Sequence, residues 1–287
     1  MRILLTGASG QLGAYLIDRL LAFGHDLTAW SGSGVGARGG VPLRPVDLTD
    51  PAATERALAS ADPEIIIHAA ALSAAEAVRL DPIRATAVNV DATARLAAWS
   101  ARRGRRLVMT STDMVFDGSR TWNREDDPAE PILAYGRSKR AAEPAVLACP
   151  AGLVARLSLL YGPSRCGRTA FFDRTIDALR RGEPQTLFED EYRTPLDLAT
   201  AADLLVRLAE SSAIGLIHVA GIERVSRFDL IRRAAIALGL EPSLVRANRR
   251  ADVLLAEPRP ADLSLDTSRL AATLPGDCRP TIEEALR

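Results

Sequence analysis

The amino-acid sequence predicts an α/β protein built on a doubly wound parallel sheet, with a smaller mixed α/β lobe toward its C-terminal side. Two observations carry that expectation. Short apolar runs alternate with helical stretches through the first half, the pattern of successive right-handed βαβ crossovers. Three glycines, Gly7, Gly10 and Gly13, fall between the first apolar run and the first helical stretch.

Residues 2–6, RILLT, read as a buried strand. Leu12, Tyr15, Leu16, Leu20 and Phe23 then recur at helical spacing over residues 11–23. Residues 25–30 form a second strand and residues 41–48 contain a third, with the glycine cluster at 32–40 read as a flexible loop. A helix is predicted over 51–61, with Asp50 as N-cap and Pro51 at the first position. EIIIHAA at 64–70 is nearly continuous in apolar residues, as expected of a strand covered on both faces. A helix over 83–103, a strand over 105–111, a charged and proline-bearing loop over 119–133, a helix over 134–148 and a strand over 152–162 follow. The remainder is less regular. Helices are predicted near 168–181, 198–210 and 226–238, short strands near 185–188 and 215–219, and extended chain over 257–266. Residues 1–160 are expected to form the doubly wound domain and 161–287 the smaller lobe, with some segments of the latter rejoining the former.

The chain has 287 residues, 47% hydrophobic and 25% charged, with 36 basic and 36 acidic side chains. That balance leaves no basic footprint for nucleic acid and no pull toward anionic membranes. No run approaches the roughly 20 apolar residues of a membrane span, and the N-terminal apolar run is too short for a signal peptide. Cys149, Cys166 and Cys278 show no C-x-x-C spacing, so neither a disulfide framework nor a zinc site is expected. A reducing, cytoplasmic setting is the simplest reading. No metal is expected.

Each glycine has a physical use. One at the strand exit permits a tight turn, one lets the backbone approach a pyrophosphate, and one inside the helix permits close packing. The helix N-terminus offers free N–H groups and the positive end of its dipole to phosphates. Residues 1–30 therefore read as the start of a dinucleotide-binding, Rossmann-type domain, with Gly7, Ser9, Gly10, Gln11 and Leu12 as candidate cofactor contacts. Sites for NAD place an acid about 20 residues further on, for the ribose 2′-hydroxyl. Here the second strand ends in Trp30, Ser31, Gly32 and Ser33, Asp26 comes too early, and Arg38 follows. Hydroxyls and a cation suit a 2′-phosphate, so NADP(H) is expected, with NAD(H) as the alternative, and Ser31 and Arg38 as the reading residues.

Thr112 follows a strand at its C-terminal end, where such sheets place ligands. Tyr135 and Lys139 stand four apart at the start of a predicted helix and share a face. A nearby ammonium favours phenolate and lowers a tyrosine's pKa. Thr112, Tyr135 and Lys139 could then move a proton while a cofactor moves a hydride.

TGASGQLG (6–13), DLTD (47–50), HAAA (68–71), NVDAT (89–93), STDMVFDG (111–118) and YGRSK (135–139) resemble the extended short-chain dehydrogenase/reductases. RLSLLYG (156–162), EYRTPLDLATAADL (191–204) and PRPADLSLDTSRL (258–270) extend the resemblance to the dTDP-4-dehydrorhamnose reductase branch. The resemblance implies that Thr112, Tyr135 and Lys139 are the catalytic set, with Tyr135 and Lys139 also touching the cofactor. It implies that Asp47 and Leu48 border the adenine, that Ala69, Ala70 and Ala71 line the cofactor channel, and that Asn89 has a structural or proton-relay role. Asp113, Arg193 and Arg259 would lie at the substrate. The activity implied is reduction of a nucleotide-sugar ketone, with a second copy of the chain as the only other partner in view. Two alternatives fit the same motifs: an epimerase or dehydratase holding NAD tightly, and a non-catalytic regulatory subunit like that of methionine adenosyltransferase. Asp113 could serve as a dehydratase's general acid, but those enzymes follow it with Glu, and Met114 stands there. His25 and His218 read as structural, and Glu125, Asp126 and Asp127 as a solvated loop run.

Overall fold

The computed structural model describes residues 1–287. The apolar runs of the first half become strands β1 (Arg2–Thr6), β2 (Asp26–Ser31), β3 (Ala37–Arg38), β4 (Val41–Pro45), β5 (Ile65–His68), β6 (Arg106–Thr112) and β7 (Gly152–Leu157). The second half adds β8 (Leu160–Tyr161), β9 (Gln185–Phe188), β10 (Tyr192–Arg193), β11 (Leu196–Asp197), β12 (Gly215–Val219), β13 (Val225–Ser226) and β14 (Val245–Asn248). Eight strands form one sheet in the order β12-β7-β6-β5-β1-β2-β4-β3. All neighbours are parallel except β4 and β3. The winding reverses between β1 and β5, and ligands bind such sheets in the crevice beyond the strands' carboxyl ends at that point.

The helices are α1 (Gln11–Ala22), α2 (Pro51–Ala61), α3 (Ala75–Leu80), α4 (Pro82–Thr86), α5 (Ala92–Arg103), α6 (Ala134–Leu147), α7 (Phe171–Arg180), α8 (Leu198–Glu210), α9 (Arg227–Ala237), α10 (Ser268–Thr273) and α11 (Ile282–Ala285). Alternate residues of β1 serve opposite faces, as the two-residue period of a strand requires. Ile3 and Leu5 enter a core with Leu16 and Leu20 of α1 and Leu205 and Leu208 of α8. Leu4 enters the other, with Leu96 and Trp99 of α5 and Val146 of α6. Asp50 caps α2 as expected, its carboxylate accepting from Ala52 and Ala53 at 2.9 and 3.0 Å. The smaller lobe packs α7, α9 and α11 around Phe172, Ile176, Leu230, Ile231 and Ile282, beside the parallel pair β9 and β14.

Five departures from the sequence-based expectation have identifiable causes. The glycine cluster at 32–40 is not wholly loop, because Ala37 and Arg38 pair antiparallel with β4. The helix expected over 83–103 is interrupted by a wide turn with i→i+5 bonding over Ala87–Asp91, a feature that concentrates at functional sites. The strand expected over 152–162 ends at Leu157, where Ser158 turns its hydroxyl to Asp113 at 3.1 Å and Leu160 pairs instead with Leu196. Helix α3 had no clear signal in its short stretch. The acidic run at 125–127 is pinned rather than freely solvated. Glu125 accepts the amide of His218 at 3.0 Å, while Arg269 donates to the carbonyl of Leu216 at 3.0 Å. The exposed edge of β12 is thereby blunted by side chains. Part of the second half packs with the first: α8 lies on α1, and β12 closes the sheet beside β7. No helix is long and apolar enough to cross a membrane.

Candidate active site

A cavity of about 1100 Å³ opens at the winding reversal. Of the residues singled out from sequence, Gly7, Ser9, Gly10, Gln11, Leu12, Ser31, Asp47, Leu48, Ala69, Ala70, Ala71, Thr112 and Tyr135 line it. Gly32 and Ser33 line it as well, but Arg38 does not. The chain carries Arg38 onto the hairpin strand β3, outside that lining, and leaves hydroxyls and glycine at the rim. Ser31 itself is buried with its hydroxyl donating to the Gly34 carbonyl.

The floor is set by close backbone approaches. Gly7 adopts φ +74°, and a Cβ there would lie 2.7 Å from backbone atoms of Ala69 and Ala70. A Cβ on Gly13 would meet the Gly7 carbonyl at 2.2 Å, so the third glycine packs helix α1 against the loop itself. The N-cap of α1 is Gly10, which has no capping side chain, and the first turn holds no acid. Its amides and dipole are free for an anion.

Ala69–Ala71 are held by a directed chain of hydrogen bonds through His68, which is fully buried. Thr93 donates to the Asn89 carbonyl at 2.7 Å, so its oxygen accepts from His68 Nε2 at 2.9 Å. His68 Nδ1 then accepts from Thr6 Oγ1 at 2.7 Å, and Thr6 accepts the Ala70 amide at 3.2 Å. Burial, followed by the charge of Lys139, holds the imidazole down to about 3, so it stays neutral and this tautomer is fixed. Asn89 continues the scaffold: it accepts from Leu72 N at 2.8 Å and donates to Leu72 O at 3.1 Å and Ser138 Oγ at 2.9 Å.

The Thr112 hydroxyl accepts from Met114 N and donates to Asp113 Oδ1, each at 3.2 Å. Helix α6 reaches this turn because Gly136 has no side chain; a Cβ would stand 1.9 Å from the Met114 carbonyl. Gly136 was not singled out from sequence, and its only signal is its place beside Tyr135. Burial, with the Asp113 charge adding to it, raises the Tyr135 pKa. The lowering expected from Lys139 is not found. Lys139 is 1% exposed and its Nζ has no protein partner. Burial pushes it down to about 8, against the upward pull of Glu143. It is also the only lysine among the 36 basic residues. Its place in a chain otherwise served by arginine marks chemistry that arginine does not supply.

Asp113 and Arg193, expected at the substrate, do not line the cavity. They are buried and paired with each other at 2.8 Å, and Arg193 also contacts Glu191 at 3.2 Å. Arg259 lies 3.8 Å from Glu191 and lines a separate cavity of about 550 Å³ with Arg250 and Glu257. They were expected at the substrate from the resemblance alone, which does not distinguish a ligand contact from an internal ion pair.

A glycine-loop cleft lined by a threonine and a tyrosine, with a buried lysine one helical turn beyond the tyrosine and outside the lining, defines a Rossmann-fold short-chain dehydrogenase/reductase. The chain belongs to the RmlD substrate binding domain family, whose profile matches residues 1–287. It is 34% identical over 95% of its length to a probable dTDP-4,6-dihydroxy-2-methyloxan-3-one 4-ketoreductase from Streptomyces antibioticus, 89% of which is covered. It is 33% identical over 92% of its length to dTDP-4-dehydrorhamnose reductase from Mycobacterium tuberculosis, 83% of which is covered. It is also 31% identical over 94% of its length to methionine adenosyltransferase 2 subunit beta from Bos taurus, 81% of which is covered. The crystal structure of dTDP-4-dehydrorhamnose reductase from Bacillus anthracis in complex with NADP superposes with a TM-score of 0.88 at 25% identity, covering 99% of this chain and 96% of that one.

Proposed function

We propose that the protein is an NADP(H)-dependent reductase of a nucleotide-sugar ketone, with NAD(H) as the alternative cofactor. The observation that carries this reading is the shared cavity: Thr112 and Tyr135 line the same space as the glycine loop. The dinucleotide fits three features of the protein: the close-packed glycines, the uncapped N-terminus of α1 and the buried, unpartnered Lys139 ammonium. When bound, NADPH supplies the hydride. The amides of the loop and α1 hold its pyrophosphate, Asp47 and Leu48 border its adenine, and Lys139 holds the nicotinamide ribose. Tyr135, kept protonated by burial, donates its proton to the sugar carbonyl oxygen. Thr112 Oγ1 donates to the same oxygen by exchanging its bond to Asp113. Two of the relatives are reductases named for dTDP-linked sugars, so a dTDP-linked keto-sugar is the first substrate to try.

The test is net NADPH oxidation by the purified protein on a dTDP-4-keto-6-deoxy sugar, with UDP- and GDP-linked ketones alongside. Turnover of none of them would sink the reading. The likeness to the adenosyltransferase subunit supports a second reading, a regulatory subunit; it requires no turnover together with co-purification of a synthetase. A cytoplasmic setting and a homodimer are part of the proposal, the latter checked by light scattering.

A further inference from the structure

Helix α6 presents Tyr135, Lys139 and Glu143 at successive i, i+4 positions, so all three share one face. The tyrosine and lysine belong to the proposed redox site. Glu143 has no part in that chemistry, yet it is 0% exposed. A buried carboxylate needs donors for both oxygens, and here they are supplied. Oε1 accepts from Ser111 Oγ at 2.7 Å and from Arg156 Nε at 2.9 Å. Oε2 accepts from Arg156 Nη2 at 2.8 Å, with Arg140 Nη1 further off at 3.7 Å. Ser111 and Arg156 are register partners across β6 and β7, and Ser111 precedes Thr112. Arg156 is itself 3% exposed and lies 5.1 Å over the Phe116 ring. Lys139 stands one turn before Glu143 on the same buried face of α6, and its Nζ has no hydrogen-bond partner.

We propose that Glu143 is a positioning residue of the redox site: clamped by Arg156 and Ser111, its carboxylate is the counter-charge that keeps the buried Lys139 a cation. The other titratable and charged groups around this part of α6 do not supply that charge. His68 on β5 is neutral. Tyr135 is protonated. Asp113 is not on this helix face: it follows β6 and is ion-paired with Arg193 at 2.8 Å. Arg140 and Arg156 are cations and oppose a third. Glu143 is the group whose attraction offsets the desolvation of the ammonium. A bidentate arginine fixes the carboxylate's geometry as a lysine could not.

The inference rests on the redox-site reading, and its test is chosen to fail separately from it. Because Lys139 is the only lysine, growth on ¹³C-lysine gives a single side-chain resonance whose titration midpoint reads its charge directly. In Glu143→Gln the midpoint moves to lower pH by about one unit, and the alkaline loss of NADPH affinity moves with it. Glu143→Asp, which keeps the charge, returns the midpoint toward the parent value. Should Glu143→Gln fail to fold with Arg156 left unpaired, Glu143→Gln/Arg156→Met removes both charges and is expected to show a smaller downward shift. An unmoved midpoint in either folded variant overturns the proposal. A protein that turns over no keto-sugar but shows the shift overturns the substrate reading instead.

Discussion

Arg193 Nη1 lies 2.8 Å from Asp113 Oδ1, with the two side chains 1% and 2% exposed. The pair ties β10 to the turn that carries Thr112. Glu191 extends it, contacting Arg193 at 3.2 Å and Arg227 at 2.8 Å. Removing one partner of a buried pair leaves an uncompensated charge, at a cost of about 3–5 kcal/mol. Arg193→Met is expected to destabilise the protein by that order in denaturant unfolding. Arg193→Met/Asp113→Asn is expected to recover part of the loss, and equal losses in the single and double variants would contradict the pairing argument.

Tyr135→Phe removes the proposed proton donor while leaving the ring. Turnover on the keto-sugar is expected to fall by about 10²–10⁴-fold, with NADPH affinity little changed. Steady-state kinetics beside fluorescence titration of NADPH separates the two effects.

Gly136→Ala places a methyl group where the Met114 carbonyl already stands, 1.9 Å away. Overpacking of this kind costs about 1–3 kcal/mol. It also pushes α6 off the Thr112 turn, so kcat is expected to fall more than the melting temperature alone explains. A variant that melts early yet turns over normally would separate Gly136 from the chemistry.

Cofactor choice is expected to follow the rim that lines the cavity. Ser33→Asp puts a carboxylate where a 2′-phosphate would sit and should turn the preference toward NADH. Arg38→Ala should leave the NADPH/NADH affinity ratio nearly unchanged. Binding titrations with both cofactors decide between them.

His68 and His218 are both held down to about 3 by burial, whereas an unfolded histidine takes a proton near its ordinary 6.5. Between those values the unfolded chain binds more protons. Stability is therefore complete above roughly pH 6.5 and declines as pH falls toward 3, by about 1.4 kcal/mol per pH unit for each histidine. His218→Gln should make unfolding free energy against pH shallower across that window.

The strands and the glycine loop were legible in the sequence because each rests on local pattern. EIIIHAA announces a buried strand, and Gly7, Gly10 and Gly13 announce a turn whose first and third positions have no room for a side chain. The Tyr135 and Lys139 spacing places two side chains on one helix face without any tertiary knowledge. The ion pair of Asp113 and Arg193 was not legible, because it spans 80 residues and no local pattern encodes it. The placement of Arg38 was not legible either, because the hairpin that carries it depends on pairing with β4. The wide turn at Ala87–Asp91 was hidden by residues that suit an ordinary helix equally well.

The solitary lysine has a practical consequence. All side-chain amines of this protein reduce to one group, and it is enclosed. Amine-directed reagents find no lysine on the folded surface, which carries its positive side-chain charge as guanidinium. Modification of Lys139 would require the enclosure to open, so its labelling rate measures how often the reaction chamber breathes. NADPH, by occupying that chamber, should slow the labelling.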